Sequence, residues 1–277
     1  MLRFFIRILC LLANFGAIHV AYADDLDANP QTDSIAPVAG LAQTAKPKFT
    51  IVIDPGHGGA DPGASSADHV REKDIVLAFG LTLKAKLEKT GHYIVVMTRD
   101  DDTFVPLQNR AQIAHEIKAD LLIAIHADIL DDALVRGTTI YTVSDKASDA
   151  EAEALAQKEN RGDIISGMNL GDQNAEVTSM LINLAQRESK SQAVMFAKRA
   201  VNEIRPVTEL TGKPLRSAAF VVLKAPDVPS VLVELGYLSN RQDRAMLLSL
   251  KWRGEMAEAL THAAEQHFVP VATASKQ

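Results

Sequence analysis

The most constraining feature of the chain is a short run, residues 121–125, that is apolar at every position and ends in His126. A strand that is apolar on both faces is typical of a parallel sheet whose two sides are covered by helices. Apolar runs alternate with helical patterns along much of the chain, which predicts the α/β class. We therefore expect one domain with a mostly parallel or mixed central sheet flanked by helices.

The positions of the predicted elements follow from this alternation. Strands are expected at residues 49–53, 93–98, 121–126, 138–143, 219–223 and 230–234. Helices are expected at residues 72–89, 107–117, 149–160, 175–204 (with a break near Glu188) and 241–267. Binding sites in open α/β sheets gather beyond the carboxyl ends of the strands, so residues at those ends are the first candidates for function.

The first 23 residues have the pattern of a secretory signal peptide. Arg3 and Arg7 precede an apolar stretch, and Ala-Tyr-Ala ending at Ala23 has the small-residue pattern of a cleavage site. An uncleaved anchor is the alternative, although the apolar stretch is short for a membrane span. We expect cleavage after Ala23 and a periplasmic product with no membrane span in its mature form. The only cysteine, Cys10, lies in this segment, so the exported chain would have no disulfide.

Charge and composition divide the rest of the chain. The formal net charge is −6, and removal of Arg3 and Arg7 makes it −8. No basic stripe with interleaved aromatic residues is present, so we expect no nucleic-acid partner. Residues 24–47 are polar and aperiodic, which predicts a disordered linker. The catalytic domain is then expected at residues 48–270, with a tail at residues 271–277.

Four acidic and imidazole residues stand at or beside the ends of predicted elements. His57 follows the first strand in a glycine-rich loop, Glu72 opens the first helix, and His126 and Glu234 each end a strand. Two imidazoles and a carboxylate can hold zinc and leave one coordination position open, as in catalytic zinc sites. Glu234 ends an apolar strand, where burial raises a carboxyl pKa toward the range of a general base. Asp128 is a candidate for orienting a metal ligand through a hydrogen bond to its side chain.

Each of these residues has a simpler interpretation when it is taken alone. The loop around His57 could hold a phosphate, although it lacks the Lys-Ser/Thr pair of a P-loop. Glu72 could merely favour the positive end of its helix, and His126 could be a hydrogen-bonded core residue. His69 is a reserve ligand. The combination of four such residues, rather than any one of them, favours a zinc site.

Several segments resemble the zinc-dependent N-acetylmuramoyl-L-alanine amidases of the cell-separation type, the amidase 3 family. The matching segments, in addition to the helix start at Glu72, are Ile53-Asp-Pro-Gly-His-Gly-Gly59, Asp102-Thr-Phe-Val-Pro-Leu107, Asn109-Arg110, Ala119-Asp120, Ile125-His-Ala-Asp128, Phe220-Val-Val-Leu-Lys224, Val228-Pro-Ser-Val-Leu-Val-Glu234 and Gly236-Tyr-Leu-Ser-Asn240. The resemblance implies that His57, Glu72 and His126 bind one Zn²⁺ ion and that Glu234 is the catalytic carboxylate. It also implies that the substrate is peptidoglycan, hydrolysed between N-acetylmuramic acid and L-alanine during cell-wall remodelling and daughter-cell separation.

The predicted helix at residues 149–160 carries a carboxylate on its apolar side. One face of that helix, at positions i, i+3, i+4 and i+7, is formed by Ala152, Leu155, Ala156 and Glu159. Glu159 is either a solvated residue on an ordinary surface helix or a residue that reaches the open zinc position. The resemblance implies the second: residues 147–204 would form an autoinhibitory helical insertion, with Glu159 as an inhibitory zinc ligand, until a LytM-type activator displaces it.

Other interpretations stay open on the sequence alone. A second apolar stripe in the insertion is either core or the contact surface for the activator, and it is formed by Val177, Met180, Leu181 and Leu184. The same ligand set also serves zinc peptidases and other amidohydrolases. A non-catalytic wall-binding module is a third alternative, which predicts loss of a ligand or of the base.

Overall fold

A computed structural model describes residues 48–165 and 179–274 and shows a six-stranded mixed sheet. The strands are β1 Phe49–Pro55, β2 Tyr93–Met97, β3 Leu121–His126, β4 Thr138–Val143, β5 Leu210–Ala218 and β6 Ser230–Glu234. Their order across the sheet is β2-β1-β3-β6-β4-β5. β4 runs antiparallel to β6, whereas the other neighbouring pairs are parallel. The predicted fold class is confirmed.

Helices cover both faces of this sheet. They are α1 Glu72–Lys89, α2 Leu107–Glu116, α3 Ala150–Glu159, α4 Gly162–Ile165, α5 Ser179–Ile204, α6 Arg241–Leu247 and α7 Leu250–Ala274. Ile123 and Ile125 of β3 pack into the larger core with side chains from α1, α5 and α7. Leu122 and Ala124 point to the opposite side, toward two smaller clusters beneath α2 and α3. β3 is therefore buried on both faces, as its continuous apolar run predicts.

Three element predictions were wrong in their position or extent. Residues 219–223 are not a strand, because Val221–Leu223 forms a 3-10 turn and β5 precedes it. The sequence does not predict β5, because this edge strand is partly exposed and contains a proline. Proline has no backbone N–H and is found in strands mainly at sheet edges. The expected helix at 241–267 is divided into α6 and α7, and α5 continues through Glu188 without a break.

The predicted insertion at residues 147–204 does not pack as one unit. Described side chains of α5, among them Phe196, Ala200 and Ile204, belong to the main core together with α7. α3 instead packs into the smaller cluster on the opposite face of the sheet, against Tyr141 and Phe220. A candidate regulatory element is thus confined to α3 and the residues that follow it, not the whole insertion.

The predicted signal peptide and linker lie outside the described residues, and so do the side chains of the second apolar stripe at Val177, Met180, Leu181 and Leu184. Among the helices of the described part of the chain, none combines the length and the apolar character needed to cross a bilayer.

Candidate metal centre

Strand pairing brings the predicted site residues to one edge of the sheet. His126 and Glu234 are register partners at the carboxyl ends of the adjacent parallel strands β3 and β6. His57 lies two residues beyond the end of β1, the neighbour of β3 on its other side. Glu72 is the first residue of α1, and its side chain is fully buried. The sheet and one helix start therefore converge on a single point.

The side-chain atoms of three of these residues form a compact cluster. His57 Nε2 lies 3.1 Å from Glu72 Oε1, and His126 Nδ1 lies 3.2 Å from the same oxygen. Ligand atoms of His57, Glu72 and His126 all lie within 4.8 Å of one another. This is the combination of two imidazoles and one carboxylate that the sequence predicts as a metal site.

A fourth polar atom, a carboxylate oxygen of Glu159, completes the cluster. Glu159 Oε2 lies 3.2 Å from His126 Nδ1 and 3.5 Å from His57 Nε2. A tetrahedral zinc ion with bonds of about 2.0–2.1 Å separates its ligand atoms by roughly 3.3–3.4 Å. The four separations of 3.1–3.5 Å between nitrogen and oxygen atoms are close to this spacing, so the cluster is of the size that a tetrahedral zinc ion needs.

Burial and charge at the cluster also fit a cation. His57 Nε2 is buried and faces the carboxylate oxygens of Glu72 and Glu159, so it is directed into the cluster, as is expected of a metal-ligating nitrogen. The carboxylates of Glu72, Asp128, Glu159 and Glu234 are all at least 94% buried. Buried like charges at such density are costly unless a cation compensates them. The donor set of nitrogen and oxygen suits Zn²⁺ and contains no thiolate.

The N-acetylmuramoyl-L-alanine amidase family model matches residues 51–266, a range that includes every residue of this cluster. The chain belongs to the N-acetylmuramoyl-L-alanine amidase family. This is a family of hydrolases, and the sequence-based resemblance is thereby confirmed.

Named relatives and a solved structure agree with the family assignment. The chain is 35% identical to the amidase AmiA of Escherichia coli K12 over 80% of its own length and 76% of AmiA. It is 34% identical to AmiC of E. coli O6:H1 over 91% of its length, and it spans 60% of AmiC. The structure of AmiC2 of Nostoc punctiforme matches with a TM-score of 0.57 and 27% identity, over 80% of this chain and 98% of AmiC2.

Backbone and side-chain hydrogen bonds fix the orientation of the carboxylate of Glu72. Its Oε2 accepts a hydrogen bond from the N–H of Ala64, and its Oε1 accepts one from the N–H of Ala127. Burial opposes ionisation of this carboxyl, but the nearby imidazoles of His57 and His126 hold its pKa well below the ordinary value. Glu72 is therefore ionised and rigidly placed, as a metal ligand must be.

The carboxylate that orients an imidazole in this amidase-family domain is Asp61, not Asp128. Asp61 Oδ2 lies 2.9 Å from His57 Nδ1, which leaves Nε2 directed into the cluster. The Asp128 carboxylate binds the Lys158 ammonium and the N–H of Ile129 instead. β3 ends at His126, so the alternation of strand side chains no longer governs where Asp128 points.

Glu234 lies beside the cluster with one free carboxylate oxygen. Its Oε2 accepts a hydrogen bond from the Asp128 N–H at 3.2 Å, whereas its Oε1 is buried and has no hydrogen-bond partner among the described residues. Burial raises the pKa of Glu234 well above the ordinary value, and the negative charge of Glu72 raises it further. A carboxyl group whose pKa is raised by burial takes up a proton more readily than an exposed one, as a general base must. The reserve ligand His69 is exposed and lies outside the cluster.

α3 presents the face that its sequence predicts. Its buried residues are Ala152, Leu155, Ala156 and Glu159. The helix begins after Asp149, whose side chain caps the N–H of Ala152. Burial raises the pKa of Glu159, while the facing imidazoles act in the opposite direction. Sequence periodicity thus located the helix side that contacts the site.

Gly56 provides a test of the cluster, because a Cβ at this position would lie 2.5 Å from His126 Cε1. We expect Gly56→Ala to displace the His126 ring and to lower the zinc bound per chain after equilibration with zinc and dialysis. Zinc is measured by mass spectrometry, with thermal unfolding as a check that the variant folds.

Gly254→Ala, within α7, is the matched control, since a Cβ there would meet no atom of the described residues within 4 Å beyond its own stretch of helix. This control should bind as much zinc per chain as the wild-type protein. If Gly56→Ala is folded and also binds as much zinc per chain as the wild type, the ring of His126 is not a ligand.

Proposed function

We propose that the chain is a zinc-dependent amidase that hydrolyses the amide bond between N-acetylmuramic acid and the L-alanine of peptidoglycan stem peptides. The observation that carries the proposal is the convergence of His57, Glu72 and His126 next to the buried carboxyl of Glu234. Membership of an amidase family supports the substrate class. The biological setting would be cell-wall remodelling and cell separation in the periplasm.

The protein groups have distinct tasks in this reaction. When bound, zinc supplies Lewis acidity toward the carbonyl oxygen and makes water more acidic. Glu234 Oε1 is free to accept a proton from the attacking water and to pass it to the alanine nitrogen. Water thus contributes OH to the lactyl carbonyl carbon and H to the nitrogen as the C–N bond breaks. Asp61 keeps His57 in the orientation that directs Nε2 to the metal.

Two other functions use parts of the same arrangement. Zinc peptidases and other amidohydrolases share the ligand set, so the ligands alone do not select the substrate. The family match at residues 51–266 favours the muramoyl amide. A wall-binding module without activity needs no buried base, but Glu234 stands fully buried beside the three ligands. The hydrolytic function therefore has the stronger support.

Glu234→Gln removes the proton acceptor while it keeps the size of the side chain. We expect its turnover of dye-labelled peptidoglycan to fall by about 10²- to 10⁴-fold, the usual contribution of a general base. The comparison is made in the wild-type chain and in the Glu159→Ala background, with zinc content measured for each protein.

Glu88→Gln is the control, since this carboxylate is surface-exposed and pairs with Lys84 at the far end of α1. Wild-type turnover by a zinc-loaded Glu234→Gln protein would overturn the role of Glu234. Release of intact stem peptides, identified by mass, distinguishes amidase products from those of a peptidase.

We further propose that α3 holds the enzyme in an inhibited state, with Glu159 at the open ligand position. The support is the placement of Glu159 Oε2 within 3.5 Å of both ligand nitrogens, together with its near-complete burial. A carboxylate in this place excludes water and substrate from the fourth position. Inhibition of this kind needs only that α3 stays in contact with the domain.

Polar contacts at both ends of α3 would hold it there. Lys158, next to the inhibitory carboxylate, pairs with Asp128 at the carboxyl end of β3. The Asn160 side chain donates to the Ala219 carbonyl and accepts from the Val221 N–H. At the other end, Arg216 pairs with the capping residue of the helix, Asp149. Each of these contacts therefore joins α3, or a residue that caps it, to another part of the domain.

The apolar contribution to this contact is small. Leu155 is the only large apolar side chain on the buried face of α3, whose other apolar members are alanines. Full burial of a leucine contributes about 1.5–3 kcal/mol, and each alanine less. A partner that competes for the polar contacts could therefore detach α3 at moderate cost. We propose a LytM-type activator protein for this role.

Glu159→Ala tests the inhibited state directly. Removal of the carboxylate should raise dye release without any activator by roughly tenfold or more, which corresponds to about 1.4 kcal/mol or more of lost inhibitory contact. Glu153→Ala, on the exposed side of the same helix, should leave activity unchanged. Equal activity of Glu159→Ala, Glu153→Ala and wild-type protein, with normal zinc content, would remove the inhibitory role.

A further inference from the structure

A buried arginine, Arg99, binds the segments that carry two of the proposed ligands, and its hydrogen-bond partners among the described residues are all backbone carbonyls. Arg99 is 4% exposed, and its guanidinium donates four hydrogen bonds to carbonyl oxygens. Nε binds the Pro55 carbonyl at 2.9 Å, and Nη1 binds the Asp101 carbonyl at 2.8 Å. The remaining two bonds are both donated by Nη2.

Those two bonds reach the segments that carry two different ligands. Nη2 donates to the Gly56 carbonyl at 2.7 Å and to the Lys73 carbonyl at 3.0 Å. Gly56 directly precedes His57, and Lys73 directly follows Glu72. One nitrogen atom therefore ties the loop after β1 to the first turn of α1, one residue away from a ligand on each side.

The loop needs such a tie because its backbone conformation is unfavourable. His57 has φ of +59°, a left-handed conformation that residues with a Cβ seldom adopt. Gly58 and Gly59 follow with φ of +122° and +56°. Conformations of this kind persist only where surrounding contacts hold them. Glycine adopts positive φ without strain, so His57 is the strained position, and contacts that hold its backbone keep its ring beside Glu72.

The guanidinium is suited to this task and an ammonium is not. Arg99 remains charged at neutral pH, although burial lowers its pKa to about 10 and the nearby Arg110 contributes to the decrease. Its planar fork presents donors in fixed directions, so separate nitrogens reach Pro55, Gly56 and Asp101 at the same time. A lysine has one nitrogen on a flexible stem and cannot span these carbonyls.

Arg110, a second buried arginine, holds only one of the two segments. Its guanidinium donates to the carboxylate of Asp54 and to the carbonyls of Pro55, His57 and Val105. None of these partners belongs to α1. Arg110 thus supports the loop, whereas Arg99 fixes the loop relative to the helix.

We propose that Arg99 is a positioning residue of the metal centre, which sets the separation between His57 and Glu72 and thereby the affinity and geometry of the bound metal. The inference rests on the proposed zinc site at His57, Glu72 and His126. Arg99 touches neither metal nor substrate and acts through the backbone of the two ligand segments.

The test compares wild-type protein with Arg99→Lys and Arg99→Gln, and uses Arg199→Lys, a partly buried arginine on α5, as the control. Zinc affinity is measured by competition with a chelator, and cobalt is substituted for zinc to record the absorption bands that report ligand geometry. Apo-protein unfolding by urea is measured in parallel. Arg99→Gln serves where Arg99→Lys does not fold, since its amide can still bind one carbonyl.

We expect the Arg99 variants to bind zinc about 10- to 100-fold more weakly, as is usual when the support of a metal ligand is removed. Their cobalt spectra should change in position or intensity, whereas the Arg199→Lys spectrum should match that of the wild type. An unchanged cobalt spectrum in a folded Arg99 variant overturns the inference, even if its stability falls. If wild-type protein binds neither metal, the proposed zinc site itself fails together with the inference.

Discussion

The buried carboxylate of Glu72 is the interaction on which the rest of the site depends. It accepts backbone hydrogen bonds from Ala64 and Ala127, and it lies within 3.2 Å of the imidazoles of His57 and His126. These contacts join the loop after β1, the start of α1 and the end of β3. A carboxylate can occupy such a buried place only because positive charge compensates it. The same carboxylate therefore organises the backbone and creates the demand for a cation.

Much of this arrangement could be predicted from the sequence. The continuous apolar run before His126 indicated a strand buried on both faces, and parallel pairing then placed His126 beside Glu234. Helical periodicity found the buried face of α3, including Glu159. These signals are local, because a run or a period is visible within a dozen residues. The apolar run and the helical period thus placed three residues of the site, His126, Glu234 and Glu159.

The parts that could not be predicted depend on contacts between distant segments or on a turn of the backbone. Arg99 lies 43 residues from the Gly56 carbonyl that it binds, and no sequence pattern indicates such a pair. Asp61 was missed for another reason: its contact with His57 spans four residues through an irregular loop, so helical or strand periodicity does not apply. The edge strand β5 has no apolar run, since only one of its nine residues is buried and the others are partly or fully exposed.

The most direct measurement is a crystal structure of the zinc-loaded chain, with anomalous scattering recorded on both sides of the zinc absorption edge. The account predicts one zinc ion bonded at about 2.0–2.2 Å to His57 Nε2, Glu72 Oε1, His126 Nδ1 and Glu159 Oε2. Zinc bound elsewhere on the chain would contradict the metal centre. Zinc bound by the three ligands, with Glu159 directed into solvent, would contradict the inhibited state and leave the centre intact.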